Sequence, residues 1–165
     1  MEDKAKIYGA NSFRLISYER NESKKEITIV IEIYFGTDSV LKVNFANHPG
    51  NVIYIVGDYN PNGKATYTFE VNEEMKTINS GTFYKHQLKK GEEIKINIGG
   101  FLGTTMWQNW MPEKEALYFT LSSFGIGSLT PLGNSTRGVT IITGSFYPID
   151  SSLGRLISEI LDQVE

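Results

Sequence analysis

Apolar and polar residues alternate with a period of two along most of this chain. In Glu26 to Phe35, Ile27, Ile29, Ile31, Ile33 and Phe35 fall on one side of a strand, and Thr28, Val30, Glu32 and Tyr34 on the other. Further strand-like runs are Ser12–Glu19, Val40–Phe45, Val52–Val56, Ala65–Val71, Thr82–Leu88, Glu93–Ile98, Leu117–Ser122 and Gly138–Phe146. Turn chemistry separates them at Gly36-Thr37-Asp38, His48-Pro49-Gly50, Asn60-Pro61-Asn62-Gly63 and Lys89-Lys90-Gly91. Short strands at this spacing, without helical periods between them, predict an all-β fold. The expected form is an antiparallel β-sandwich or jelly-roll-like barrel of about 8–10 strands. Strands would fill residues 6–146 of a single domain spanning 1–165.

The C-terminus follows a different period. After Pro148-Ile149-Asp150-Ser151, a helix start, Leu153, Leu156, Ile157, Ile160, Leu161 and Val164 form one apolar stripe. A helix over about 150–164 is too short to stand alone in water, so the stripe must dock, on its own sandwich or on a neighbouring copy.

Charge changes the picture most between Ile96 and Pro148. These 53 residues carry only Glu113, Lys114, Glu115 and Arg137, whereas the other 112 carry 31 charged side chains. Both tryptophans and two of the four methionines lie in this stretch. Either it supplies most of the core, or another molecule covers part of it. Its centre is Phe101, Met106, Trp107, Gln108, Asn109, Trp110 and Met111. Aromatic and Met enrichment with few charges is the composition of an interface centre. The paired indoles beside two amides also suit a sugar ring or a lipid headgroup layer. Ser122–Thr136 reads as one long loop whose Phe124, Ile126, Leu129 and Leu132 argue against full solvation.

Candidate chemistry is sparse. There are no cysteines, which removes disulfides, thiolate metal sites and thiol nucleophiles. Net charge −3 argues against a nucleic-acid partner. Asp58, Asn60 and Asn62, followed by Gly63, imitate the opening of a calcium loop, but its last ligand position is Phe69. A hairpin turn explains the same residues without an ion. His48 and His86 lack companions at metal-ligand spacing. No nucleophile elbow, P-loop or dinucleotide fingerprint is written here. The paired carboxylates Glu73/Glu74, Glu92/Glu93 and Glu113/Glu115 stand in hydrophilic surroundings.

The expectation is therefore a non-enzymatic structural or interaction protein without a cofactor. It would self-associate through the charge-poor surface as a homo-oligomer or larger assembly; the alternative is a carbohydrate- or lipid-surface-binding module. The N-terminus shows no signal peptide and no stretch is long and apolar enough to span a bilayer. The expected location is cytoplasmic or within a particle.

Overall fold

The computed structural model describes residues 9–21, 23–24, 26–57, 65–100, 103–121, 125–128, 139–142 and 144–164. Strand dominates, with thirteen strands and two helices among the described residues. The chain divides into two compact units, Met1–Pro49 and Gly50–Glu165.

The first unit is a hairpin followed by a helix. β1 (Ser12–Asn21) pairs antiparallel with β2 (Glu26–Tyr34), with a bulge between Leu15 and Ser17. The Val40–Phe45 run, expected as a strand, lies instead in α1 (Asp38–Asn47). Local start signals outweigh a six-residue alternation here. The Thr37 carbonyl accepts the first helical bond from Leu41 N–H at 3.0 Å, and Asp38 places an acid in the first turn.

The second unit contains two sheets over one core. The first has strand order β12-β9-β3-β6-β13, from β12 (Phe146–Ile149), β9 (Leu117–Leu121), β3 (Val52–Gly57), β6 (Thr82–Gln87) and β13 (Asp162–Val164). The second has order β5-β4-β7-β8, from β5 (Glu74–Asn79), β4 (Thr66–Val71), β7 (Glu93–Ile98) and β8 (Thr104–Asn109). Ile53, Ile55, Tyr84 and Leu121 of the first sheet meet Tyr67, Phe69, Val71, Ile78, Ile94, Ile96 and Ile98 of the second in a single buried cluster. Their alternation carries every second residue inward.

Two pairings in the five-stranded sheet, β3 with β9 and β6 with β13, are parallel, so this sheet is mixed rather than antiparallel throughout. β10 (Gly125–Ser128), inside the Ser122–Thr136 stretch expected as a loop, pairs antiparallel with β11 (Val139–Ile142), which lies in the Gly138–Phe146 run expected as strand.

β3 is buried along its whole length because the five-stranded sheet is covered on both faces. On the far side from the shared core, Val52, Tyr54, Val56, Phe83 and Tyr118 receive α2 (Ser151–Ile160) through Ile157. Asp150 caps that helix, its Oδ1 accepting from Ser152 N–H at 2.9 Å. The helix ends earlier than its stripe. Leu161 turns extended, and the chain pairs β13 with the otherwise open edge of β6. Val164 therefore reaches the core between the sheets from a strand, while Leu156 and Ile160 are buried on the helix and Leu153 stays exposed.

Candidate functional site

The charge-poor stretch does two jobs, and strand geometry divides them. Ile96, Ile98, Tyr118 and Leu121 are buried, and Met106, Trp110, Phe119 and Phe146 pack half-buried against the shared core. These residues are the interior part of the described stretch, and Trp107, Met111 and Tyr147 are exposed. Trp107 lies on β8. Among the described residues this strand lies at the edge of the four-stranded sheet and pairs with β7 alone, in the register Ile96 opposite Met106, Lys95 opposite Trp107 and Asn97 opposite Thr105.

Alternation along β8 sends Met106 inward and Trp107 outward, so the two tryptophans part company. Trp107 is 59% exposed, and the Lys95 ammonium sits 5.8 Å from its ring centroid. Trp110, just past the strand, turns back onto the core, and its N–H donates to the Glu92 carbonyl at 2.8 Å. Met111 is again exposed. The two indoles form no common platform.

The end of β8 is held by residues that sequence reasoning passed over. Lys114 Nζ donates to Gln108 Oε1 and to the Asn109 carbonyl, both at 2.9 Å; burial pushes its pKa down. Asn51, which lies directly after the His48-Pro49-Gly50 turn signal, is buried with φ 57°. Its Nδ2 donates to the Met111 carbonyl at 2.8 Å and its Oδ1 accepts from Met111 N–H at 2.9 Å. An Asn next to a turn was the available signal, since Asn tolerates left-handed backbone.

The outward face of the four-stranded sheet is polar apart from Met75 and Trp107. Cross-strand register places Met75, Glu70, Asn97 and Thr105 in one row across all four strands. Asn97 Nδ2 donates to Thr105 Oγ1 at 2.9 Å. An open groove of about 360 Å³ runs over Thr66, Thr68, Glu70, Met75, Asn97 and Gly99.

On β6, Tyr84 Oη lies 3.4 Å from His86 Nδ1, and His86 Nε2 lies 3.1 Å from Glu92 Oε1. Glu92 Oε2 also accepts the Lys89 N–H at 2.6 Å. This chain of groups closes the Leu88–Glu93 turn onto the sheet. Burial raises the Tyr84 pKa, as it does for Tyr54 and Tyr118 under α2. Among the described residues no three His, Asp or Glu side chains gather as metal ligands. Phe101 and the calcium-loop candidates Asp58, Asn60 and Asn62 lie outside the described residues.

No family model matches this chain, and no solved structure matches it. Among curated proteins it is similar to autophagy-related protein 18 of Mycosarcoma maydis, 28% identical over 68 residues. That likeness takes in 41% of this chain and 15% of the other protein's length. No described helix is long and apolar enough to cross a membrane.

Proposed function

We propose that this chain is a non-enzymatic structural or interaction protein that self-associates through the exposed part of its charge-poor region. The observation that carries the reading is the uncharged edge strand β8, Thr104-Thr105-Met106-Trp107-Gln108-Asn109, with Trp107 and Met111 open beside it. An edge strand is a template for pairing, and proteins that stay single guard theirs with Lys, Pro or a bulge. β8 itself carries no Lys, Pro or bulge, and Lys114 reaches it only at its end, at the Gln108 side chain and the Asn109 carbonyl. Pairing β8 with β8 of a second copy about a two-fold axis would extend the sheet and bring the two Trp107 side chains toward one another.

Light scattering over a concentration series tests this. Trp107→Lys, at an exposed position, is expected to weaken association at least tenfold without altering the circular dichroism spectrum. A wild-type chain that stays monomeric at high concentration ends the proposal.

A second reading, glycan binding, draws support from the open groove lined by Glu70 and Asn97, whose cross-strand row continues to Thr105, two positions before the exposed Trp107 on β8. It predicts a blue shift of Trp107 emission on adding oligosaccharides, abolished by Trp107→Ala. Unchanged emission across a broad panel removes it.

A further inference from the structure

The open side of β8 is not uniform along its length. One step beyond the Glu93–Asn109 pair, the Trp110 N–H donates to the Glu92 carbonyl at 2.8 Å. In an antiparallel ladder the bonded pairs recur at every second position, so Gln108, Met106 and Thr104 turn their N–H and carbonyl groups toward β7. Thr105, Trp107 and Asn109 turn theirs to the open side.

Two groups at the ends of that side are already occupied. The Asn109 carbonyl accepts from Lys114 Nζ at 2.9 Å. The Gly103 N–H donates to the Gly100 carbonyl at 3.1 Å and closes the turn before β8. The Gly103 carbonyl shares a trans peptide plane with the Thr104 N–H, which faces β7, so it points to the open side. Among the described residues, the groups left on that side are the Gly103 carbonyl, both groups of Thr105 and of Trp107, and the Asn109 N–H.

This pattern is complementary to itself. The occupied donor and the occupied acceptor stand at equal distances either side of Met106. A second β8, turned antiparallel about a two-fold axis at Met106, places Thr105 opposite Trp107 and Gly103 opposite Asn109 in bonded pairs. Each Thr105–Trp107 pair exchanges both its bonds, and each Asn109 N–H meets a Gly103 carbonyl. The two occupied groups are the ones that would otherwise have met each other. Moving the axis to Trp107 sets the Thr105 N–H against the Asn109 carbonyl that Lys114 holds. Moving it to Thr105 sets the Trp107 carbonyl against the Gly103 N–H that Gly100 holds. A foreign strand with all its groups free would leave a donor and an acceptor unmet at the two ends.

We infer that β8 pairs with β8 of a second copy in this one register, fixed by Lys114 at one end and by the Gly100–Gly103 turn at the other. The inference rests on the self-association reading and adds what selects the partner. The side chains agree with it. On the outer face, Trp107 of the second copy continues the row of Met75, Glu70, Asn97 and Thr105. On the inner face Met106 meets Met106 and Thr104 meets Gln108. None of Thr104–Asn109 is charged, so no like charges face each other across the axis. Other described edges are blocked within the strand: β5 carries Glu74 and Lys76, and β12 carries Pro148.

Because the chain has no cysteine, disulfide trapping reads the register directly. Inner-face residues opposite one another in such a ribbon have Cα atoms about 4.5 Å apart, which a disulfide spans, and a shift of the axis by one residue takes the same pair beyond ~7 Å. Thr104→Cys chains mixed with Gln108→Cys chains in a glutathione redox buffer should give at least fivefold more disulfide dimer than either alone. Met106→Cys should cross-link with itself. Sedimentation of the unsubstituted chain keeps the two readings apart. A monomer removes the self-association reading and this inference with it. A dimer that Trp107→Lys dissociates, but that yields no Thr104–Gln108 disulfide, leaves the edge reading standing and overturns the register.

Lys114→Met frees the Asn109 carbonyl and keeps the main-chain bond from Asn51. The axis should then slip toward Trp107. A disulfide between Met106→Cys and Gln108→Cys chains should appear, and the Thr104–Gln108 product should fall at least twofold. Lys114→Arg, which retains a donor, should keep the original pattern. The same pattern in all three chains, with unchanged circular dichroism, overturns the inference.

Discussion

Asn51 and Met111, sixty positions apart, grip one another through both backbone groups of Met111. The side-chain amide imitates a strand partner, and the Asn51 main chain adds a bond from its own N–H to the Lys114 carbonyl at 2.8 Å. One buried amide thus ties the Trp110–Lys114 loop to the first residue before β3.

Asn51→Ala is expected to cost about 3 kcal/mol. It orphans the part-buried N–H and carbonyl of Met111 and places alanine at positive φ, where asparagine is tolerated better. Urea unfolding measures it. A loss below about 1 kcal/mol would mean that the loop is held by other contacts.

The tryptophans should behave as opposites. Trp110→Ala removes a half-buried ring from the shared core and should cost roughly 2–3 kcal/mol, less than full burial would give. Trp107→Ala should change monomer stability by no more than about 0.5 kcal/mol, its effect falling on association instead. Acrylamide quenching of the two single-tryptophan chains, made with Phe at the other site, should be strong for Trp107 and weak for Trp110. Equal quenching contradicts the assignment of sides.

Gly154 supplies a case where helix propensity points the wrong way. Alanine in mid-helix is ordinarily worth up to about 1 kcal/mol over glycine. Here a Cβ would run into the Tyr118 ring, because α2 lies directly on the sheet at this point. Gly154→Ala should therefore destabilise by roughly 1–3 kcal/mol. A rise in melting temperature would show that the helix can lift off Tyr118 without cost.

What the sequence made legible follows from how local each signal was. The Ile27–Phe35 alternation and the strands at Val52 and Glu93 were readable because each pattern is complete within one element. α1 was misread because Val40, Leu41, Val43 and Phe45 fit two periods over so short a run: 41, 43 and 45 alternate as in a strand, while 40/43 and 41/45 have helical spacing. β8 was missed for the opposite reason: Thr104 to Asn109 has too few apolar residues to declare a face, and its strand character comes from pairing with β7. The same non-local pairing ends α2 at Ile160 and draws Asp162–Val164 to β6. The split between Trp107 and Trp110 also needed strand register, which spacing alone does not supply. The bulge at Ile16, which keeps Tyr18 with the isoleucines, left no mark that alternation alone could read.

Alkaline titration should separate the tyrosines. Of nine in the chain, Tyr54, Tyr84 and Tyr118 are held above the ordinary value, chiefly by burial. An acid whose pKa rises on folding contributes stability that is full below its unfolded value, about 10, and lost as pH climbs through the folded one. Absorbance at the tyrosinate band should therefore show a late-titrating group of at least three, released together as the sheet opens. A single smooth titration of all nine would contradict the burial beneath α2 and between the sheets.

Acid dependence should centre on Glu92. The Lys89 N–H bond, followed by the His86 hydrogen bond and charge, holds its carboxyl below the ordinary range, against the effect of burial. A carboxylate lowered on folding contributes stability that is present above its unfolded value of about 4.3 and lost as pH falls through the folded one. Protonation would loosen the Leu88–Glu93 turn, whose Glu92 carbonyl also receives the Trp110 N–H. Wild-type stability should accordingly decline between about pH 5 and about pH 3, with Trp110 emission moving to the red before global unfolding. Glu92→Gln keeps an acceptor but removes the ionisation, so its stability should be lower near neutrality and flatter across the same interval. Parallel curves for the two chains would assign the acid sensitivity to other carboxylates and leave the Tyr84–His86–Glu92 contact a passive one.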